Sequence, residues 1–176
     1  CTQRPLADDP LHSVEGAPVE LDGERFYRIG NVDRMPTFFM TLLGASDLWM
    51  FVASNGGLTA GRVDAESALF PYLTHDKVIE TAGTTGPATL LLAERDGRRS
   101  LWEPFTEVGR RLYRLERNLY KNELGSTLIF EELNRDLELA FRYAWRFSDR
   151  YGIVRSARLA NLAASSVAVD VLDGLQ

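Results

Sequence analysis

The chain has 176 residues, 45% of them apolar, with 20 Lys+Arg against 25 Asp+Glu and a formal net charge of −5. That bounds it to one domain, or one domain and a tail, and supplies enough apolar material for a sizeable core. The acidic balance argues against nucleic acid or an anionic membrane as the main partner, and no apolar run approaches the roughly 18 residues of a membrane helix.

Two His (His12, His75) and one Cys (Cys1) are present. They argue against a structural zinc site, a disulfide framework and a thiol–imidazole pair, and no cofactor is expected. Cys1 carries two readings. One is a fragment boundary, with the protein cytoplasmic. The other is the mature end of a bacterial lipoprotein, exported and anchored by lipid on Cys1, with polar Thr2 to Val14 as a tether. Residues 1–18 hold three Pro and several acids and read as a flexible tail. Residues 19–176 read as one β-sandwich domain.

From Val19 the pattern is strands and turns. Val19–Leu21, Asp22-Gly23 and Arg25–Ile29 predict a hairpin, with Asp-Gly as the turn signal. Thr37–Leu43 and Leu48–Ser54 predict two strands whose nearly continuous apolar character suggests burial on both faces. Residues 55–87 read as a long functional loop or ordered insertion with little regular structure, and Ala65–Leu73 as one short helix. Within it, the Gly-rich run 55–62 lacks the spacing of a phosphate loop and reads as a sharp turn with tight backbone packing.

Strand periodicity returns at Ala88–Glu94 and, after Asp96-Gly97, at Arg99–Glu103. Arg110–Lys121 fits either a helix or a long strand. Ser126–Glu131 alternates. Leu137–Phe147 carries the clearest signal: every odd position is large and apolar, and every even one is charged or Ala. That period of two gives a strand with one face on a core and the other toward water. A helix built from the same residues would be apolar all round and studded with Arg. Ser148-Asp149-Arg150 turns the chain, and Ile153–Asn161 and Val167–Leu172 close the series. The sum is an all-β, antiparallel β-sandwich with one long irregular segment.

Three constellations bear on chemistry. Glu131 and Glu132 are neighbours on one strand and point to opposite faces, so they do not form a glycosidase pair. Glu132, Asn134 and Asp136 would share a face of an unbroken strand, either as a site or as an ion-paired surface with Arg135 and Arg142. His75-Asp76 pairs a potential base with a carboxylate but lacks an accompanying nucleophile motif. Aromatic residues are the third group. Trp49, Tyr143 and Trp145, on strands, read mainly as core. Phe70 and Tyr72, in the irregular segment, are the better surface candidates, followed by Trp102 and Tyr151. The candidate substrate-binding set is therefore Phe70, Tyr72, His75, Asp76, Trp102 and Tyr151, with no catalytic or metal-ligating residue assigned.

Several motifs carry a resemblance. Asn55–Arg62, Ala68–Tyr72 and Asp76-Lys77 form one group. Tyr120–Gly125, Leu128–Glu132 and Asn134–Leu137 form a second. Ser148–Arg155 with Leu172–Gln176 completes the set. From about residue 25 onward the chain resembles the N-terminal region of large bacterial carbohydrate-active proteins related to cellobiose phosphorylases. The resemblance implies a β-supersandwich of the galactose mutarotase-like type, incomplete at its C-terminal end, joined in such proteins to an (α/α)6 barrel that bears the catalytic carboxylates. It implies carbohydrate as ligand, the barrel of the same protein as partner, and a homodimer contact. No catalytic residue of that family maps onto these positions. The expectation is a non-catalytic sandwich supporting or docking such a barrel. The alternatives are a stand-alone carbohydrate-binding or assembly module, and an enzyme whose site lies in 55–87 and uses His75 and Asp76.

Overall fold

The structure, a computed structural model, describes residues 13–44 and 47–176. Cys1, on which the lipid-anchor reading turns, and His12 lie outside the described residues. All the sheets are antiparallel. A six-stranded sheet is formed by β1 (Glu15–Leu21), β2 (Glu24–Gly30), β9 (Leu115–Asn122), β10 (Thr127–Asn134), β11 (Leu139–Ser148) and β12 (Gly152–Asn161), in that spatial order. A four-stranded sheet runs β3 (Phe39–Leu42), β4 (Leu48–Ala53), β5 (Leu58–Arg62) and β6 (Ala68–Phe70). A three-stranded sheet has β13 (Ala168–Leu175) beside β7 (Pro87–Arg95), which pairs on with β8 (Arg98–Trp102).

The alternation expected over Leu137–Phe147 builds the sandwich from Leu139 onward, residues 135–138 forming the turn out of β10. Leu139, Phe141, Tyr143 and Trp145 point inward and join one core cluster with Leu128 and Phe130 of β10. Met50, Val52 and Leu58 from the four-stranded sheet and Leu91 and Trp102 from the three-stranded sheet complete it. The large sheet therefore packs by one face on both smaller sheets. Its other face carries a second, smaller cluster of Phe26, Tyr120, Ile129 and Ala144.

Turn chemistry fixes the hairpins. Asp22 and Gly23 both have positive φ (52° and 78°), as do Asp96 and Gly97 (51° and 73°), the conformation that two-residue hairpin turns demand. The first strand begins at Glu15, so the end of the stretch read as tail is paired sheet. Residues 55–87 are more regular than expected. They hold β5, β6 and the one-and-a-half-turn helix α1 (His75–Glu80). The helix expected at Ala65–Leu73 is replaced by β6, which adds to the edge of β5. The ambiguous 110–121 stretch resolves into the end of α2 (Glu107–Leu112) and the strand β9. The Gly-rich turn does pack tightly: a Cβ on Gly57 would overlap the Val78 carbonyl of α1.

Candidate functional site

The strands β3 and β4 are not buried on both faces. Met40, Leu42, Met50 and Val52 face the core, while Phe39, Trp49 and Phe51 lie half-buried on the outer side. These outward rings form a continuous strip. Phe51 is two residues from the cross-strand partner of Phe39, the diagonal relation that lets large rings meet, and their centroids are 5.3 Å apart. Trp49 stacks on Phe51 at 5.7 Å with an interplanar angle of 30°.

The ends of the strip come from the segment after β5. Tyr72 meets Trp49 edge-on at 5.7 Å, and His75 meets Phe39 edge-on at 5.3 Å. Two local devices place them. The wholly buried Thr59 hydroxyl donates to the Pro71 carbonyl at 2.7 Å, tying the chain before Tyr72 to β5. Gly61, the cross-strand partner of Trp49, lets the indole lie over the β5 backbone, because a Cβ there would overlap the ring. The indole N–H donates to the Asp64 carbonyl at 3.2 Å. The result is an outward strip in the order Tyr72, Trp49, Phe51, Phe39, His75, with Tyr72 53% exposed. Such an outward row of rings is a candidate contact surface.

The sequence-predicted residues divide. Tyr72 and His75 belong to the strip. Asp76 stands beside it, with the Thr74 hydroxyl donating at 2.6 Å and so holding its carboxyl below the ordinary value. Among the described residues no hydrogen bond joins His75 to Asp76. Phe70 faces the other way, packed against the core. Tyr151 is exposed at the β11–β12 turn, under the Arg150 guanidinium at 5.1 Å, and is not part of the strip. Trp102 is a correction: it is wholly buried and its indole N–H donates to Glu132 at 2.8 Å, so it has no ring face for a ligand.

The paired acids do lie on opposite faces. Glu132, fully buried, accepts from Trp102, from the Phe105 amide at 2.9 Å and from Arg117 Nε at 2.7 Å. On the other face Glu131 accepts from the Tyr120 hydroxyl, Asn118 Nδ2 and Arg142. Burial pushes its carboxyl up, but those three donors outweigh burial and hold it below its usual value. Asp136 pairs with Arg114 at 2.7 Å and Arg135 with Glu116. The acids are ion-paired, but not as one exposed strand face: Glu132 and Asn134 are buried, β10 ends at Asn134 so that Asp136 lies in the turn beyond it, and of the two expected partners Arg142 pairs with Glu131 and Arg135 with Glu116.

Phe39 and Phe51 were missed, and Trp49 was read as core. The signal was present: Phe39-Met40-Thr41-Leu42 and Trp49-Met50-Phe51-Val52 place an aliphatic side chain at every second position. Sorting apolar residues by ring against chain, rather than pooling them, separates the two faces. Among the described residues no His/Cys/Asp/Glu group is arranged to hold a metal ion, and no helix is long and apolar enough to cross a membrane. In comparisons with known proteins, no family model and no curated protein matches the chain.

Proposed function

We propose that this chain is a non-catalytic β-sandwich of a carbohydrate-active protein, resembling the sandwich of cellobiose phosphorylase-like proteins. It works beside a separate (α/α)6 barrel that carries the chemistry, and its aromatic strip is the surface that contacts carbohydrate. The observation that carries the reading is the outward strip from Tyr72 through Trp49 to His75. Sugar rings present C–H faces that settle on aromatic rings, while Asp76 and Lys77 at one end and the Arg62–Asp47 pair at the other offer partners for hydroxyls. The motif Phe130–Asn134 supports a scaffold role, because the carboxylates of Glu131 and Glu132 are engaged by buried donors. The same strip equally serves a stand-alone carbohydrate-binding module.

The test is titration of gluco-oligosaccharides into the protein, read by calorimetry and by indole fluorescence. Saturable binding that is weakened by Tyr72→Ala and by Trp49→Ala, and unchanged by Tyr151→Ala, is the expected result. Binding indifferent to both strip substitutions, or none at all, overturns the assignment of the strip. Turnover of any gluco-oligosaccharide with phosphate or water by this chain alone overturns the non-catalytic role.

A further inference from the structure

A cleft lies on the inner side of the large sheet, away from the outer strip. It has a volume of about 440 Å³ and opens between the 54–55 turn, the 82–83 turn and the start of α2. Its floor is Tyr143. That residue is only 3% exposed, and its hydroxyl has no protein partner among the described residues. The hydroxyl is not sealed in the core: it opens to the cleft, where it is free to bond a guest molecule. The ring is fixed on several sides: it stacks on Phe130 at 4.9 Å, meets the edge of Phe105 at 5.2 Å and carries the Arg155 guanidinium at 5.2 Å. The hydroxyl is therefore held in one place. Burial pushes it above its ordinary pKa, so it is a protonated donor at neutral pH.

One wall is Phe105, which holds φ at 66°. A bulky residue in that region is a true outlier, and such strain persists only where surrounding structure enforces it. Here Glu132 enforces it from behind by accepting the Phe105 amide. The charges around the cleft are mutually satisfied: Asp33 pairs with Arg110 at 2.9 Å, and Arg117 with Glu132. An ionic ligand would find no unpaired countercharge in that set. A neutral ring with an apolar face for Phe105 and a hydroxyl for Tyr143 fits, and the volume lies in the lower part of the range for small-molecule sites.

We propose that this cleft binds a neutral, hydroxyl-bearing single-ring molecule, a monosaccharide or cyclic polyol, with the Tyr143 hydroxyl as its anchoring group. The site stands on its own lining and does not depend on the outer aromatic strip.

The probes are D-glucose, D-galactose, D-mannose and myo-inositol, titrated to millimolar concentration with ligand-observed NMR. Tyr143→Phe deletes only the unpartnered hydroxyl, so thermal unfolding should be unchanged while affinity for the bound probe falls about tenfold. Thr37→Trp, at an exposed position on the cleft lining, should abolish binding by filling the entrance. Tyr151→Ala, at an exposed position outside both the cleft and the outer strip, should leave it intact. The proposal is overturned if none of the four probes binds saturably, if Tyr143→Phe binds as tightly as the parent chain, or if binding survives Thr37→Trp.

Discussion

The Glu132 carboxylate accepts the Phe105 amide at 2.9 Å and so holds a bulky residue at φ 66°. The same carboxylate takes the Trp102 indole N–H and the Arg117 guanidinium. One fully buried charge thus joins β8, the 103–106 connection, β9 and β10. Its contribution is geometric: it sets the turn that puts the Phe105 ring edge-on against Phe130, Phe141 and Tyr143.

Removing that charge should be expensive. Glu132→Gln keeps the volume but leaves the Arg117 guanidinium, nearly buried, without its carboxylate. Breaking a buried pair from one side costs about 3–5 kcal/mol. Urea unfolding should show the midpoint falling accordingly, with the slope unchanged. A loss below about 1 kcal/mol, the range of an exposed pair, would refute the role assigned to Glu132.

Trp102 separates packing from hydrogen bonding. Trp102→Phe retains most of the ring and removes the donor to Glu132, with an expected cost of about 1–3 kcal/mol for the unsatisfied acceptor. Trp102→Ala adds a cavity and should cost about 3–5 kcal/mol. In sugar titration of the Phe variant, affinity on the outer strip should be unchanged while stability falls.

Acid should loosen the opposite face of the large sheet through Glu131. Its folded-state pKa is depressed by Tyr120, Arg142 and Asn118 against the upward push of burial, whereas in the unfolded chain it sits near the ordinary value of about 4.3. The stabilisation is therefore fully present above that value and is lost as pH falls through the lower folded value. Urea unfolding from neutral pH to about pH 3 should show declining stability. The decline should be shallower in Glu131→Gln, and parallel declines would show that other groups carry the effect.

Gly61 should be the most sensitive position beneath the aromatic strip. An added methyl would overlap the Trp49 ring and approach the Ala68 Cα at 2.8 Å, where backbone rather than a flexible tip must move. Gly61→Ala should cost about 1–3 kcal/mol as an overpacking change. It should also shift the emission of Trp49, the partly exposed indole, while Trp102 and Trp145 remain buried. An unchanged spectrum would mean that the indole does not lie over β5.

The strands and hairpins were legible because their signals are local. Alternation in Leu137–Phe147, and Asp-Gly at 22–23 and 96–97, specify a period and a turn without reference to the rest of the chain. The segment 55–87 was not, because β6 has three residues and α1 six, too few for any periodicity to accumulate. The candidate site was half legible. Tyr72 and His75 stood out by their irregular surroundings. The central rings were hidden because Trp49 and Phe51 are apolar on both readings, and only the sheet shows which face each takes. Trp102 failed for the reverse reason: the buried carboxylate that holds its indole is thirty positions away.

Adjacent Glu131 and Glu132 have a consequence for how the chain finds this fold. Slipping β10 by one residue against β9 and β11 would turn Glu131 toward the interior and Glu132 toward the outer face, because side-chain direction alternates strictly along a strand. Each carboxylate would then leave its own set of donors, Arg117 on one side and Tyr120, Asn118 and Arg142 on the other. The two neighbouring acids thus serve as a register key: misaligned sheets are penalised by charge, and only one alignment of the central strands satisfies both.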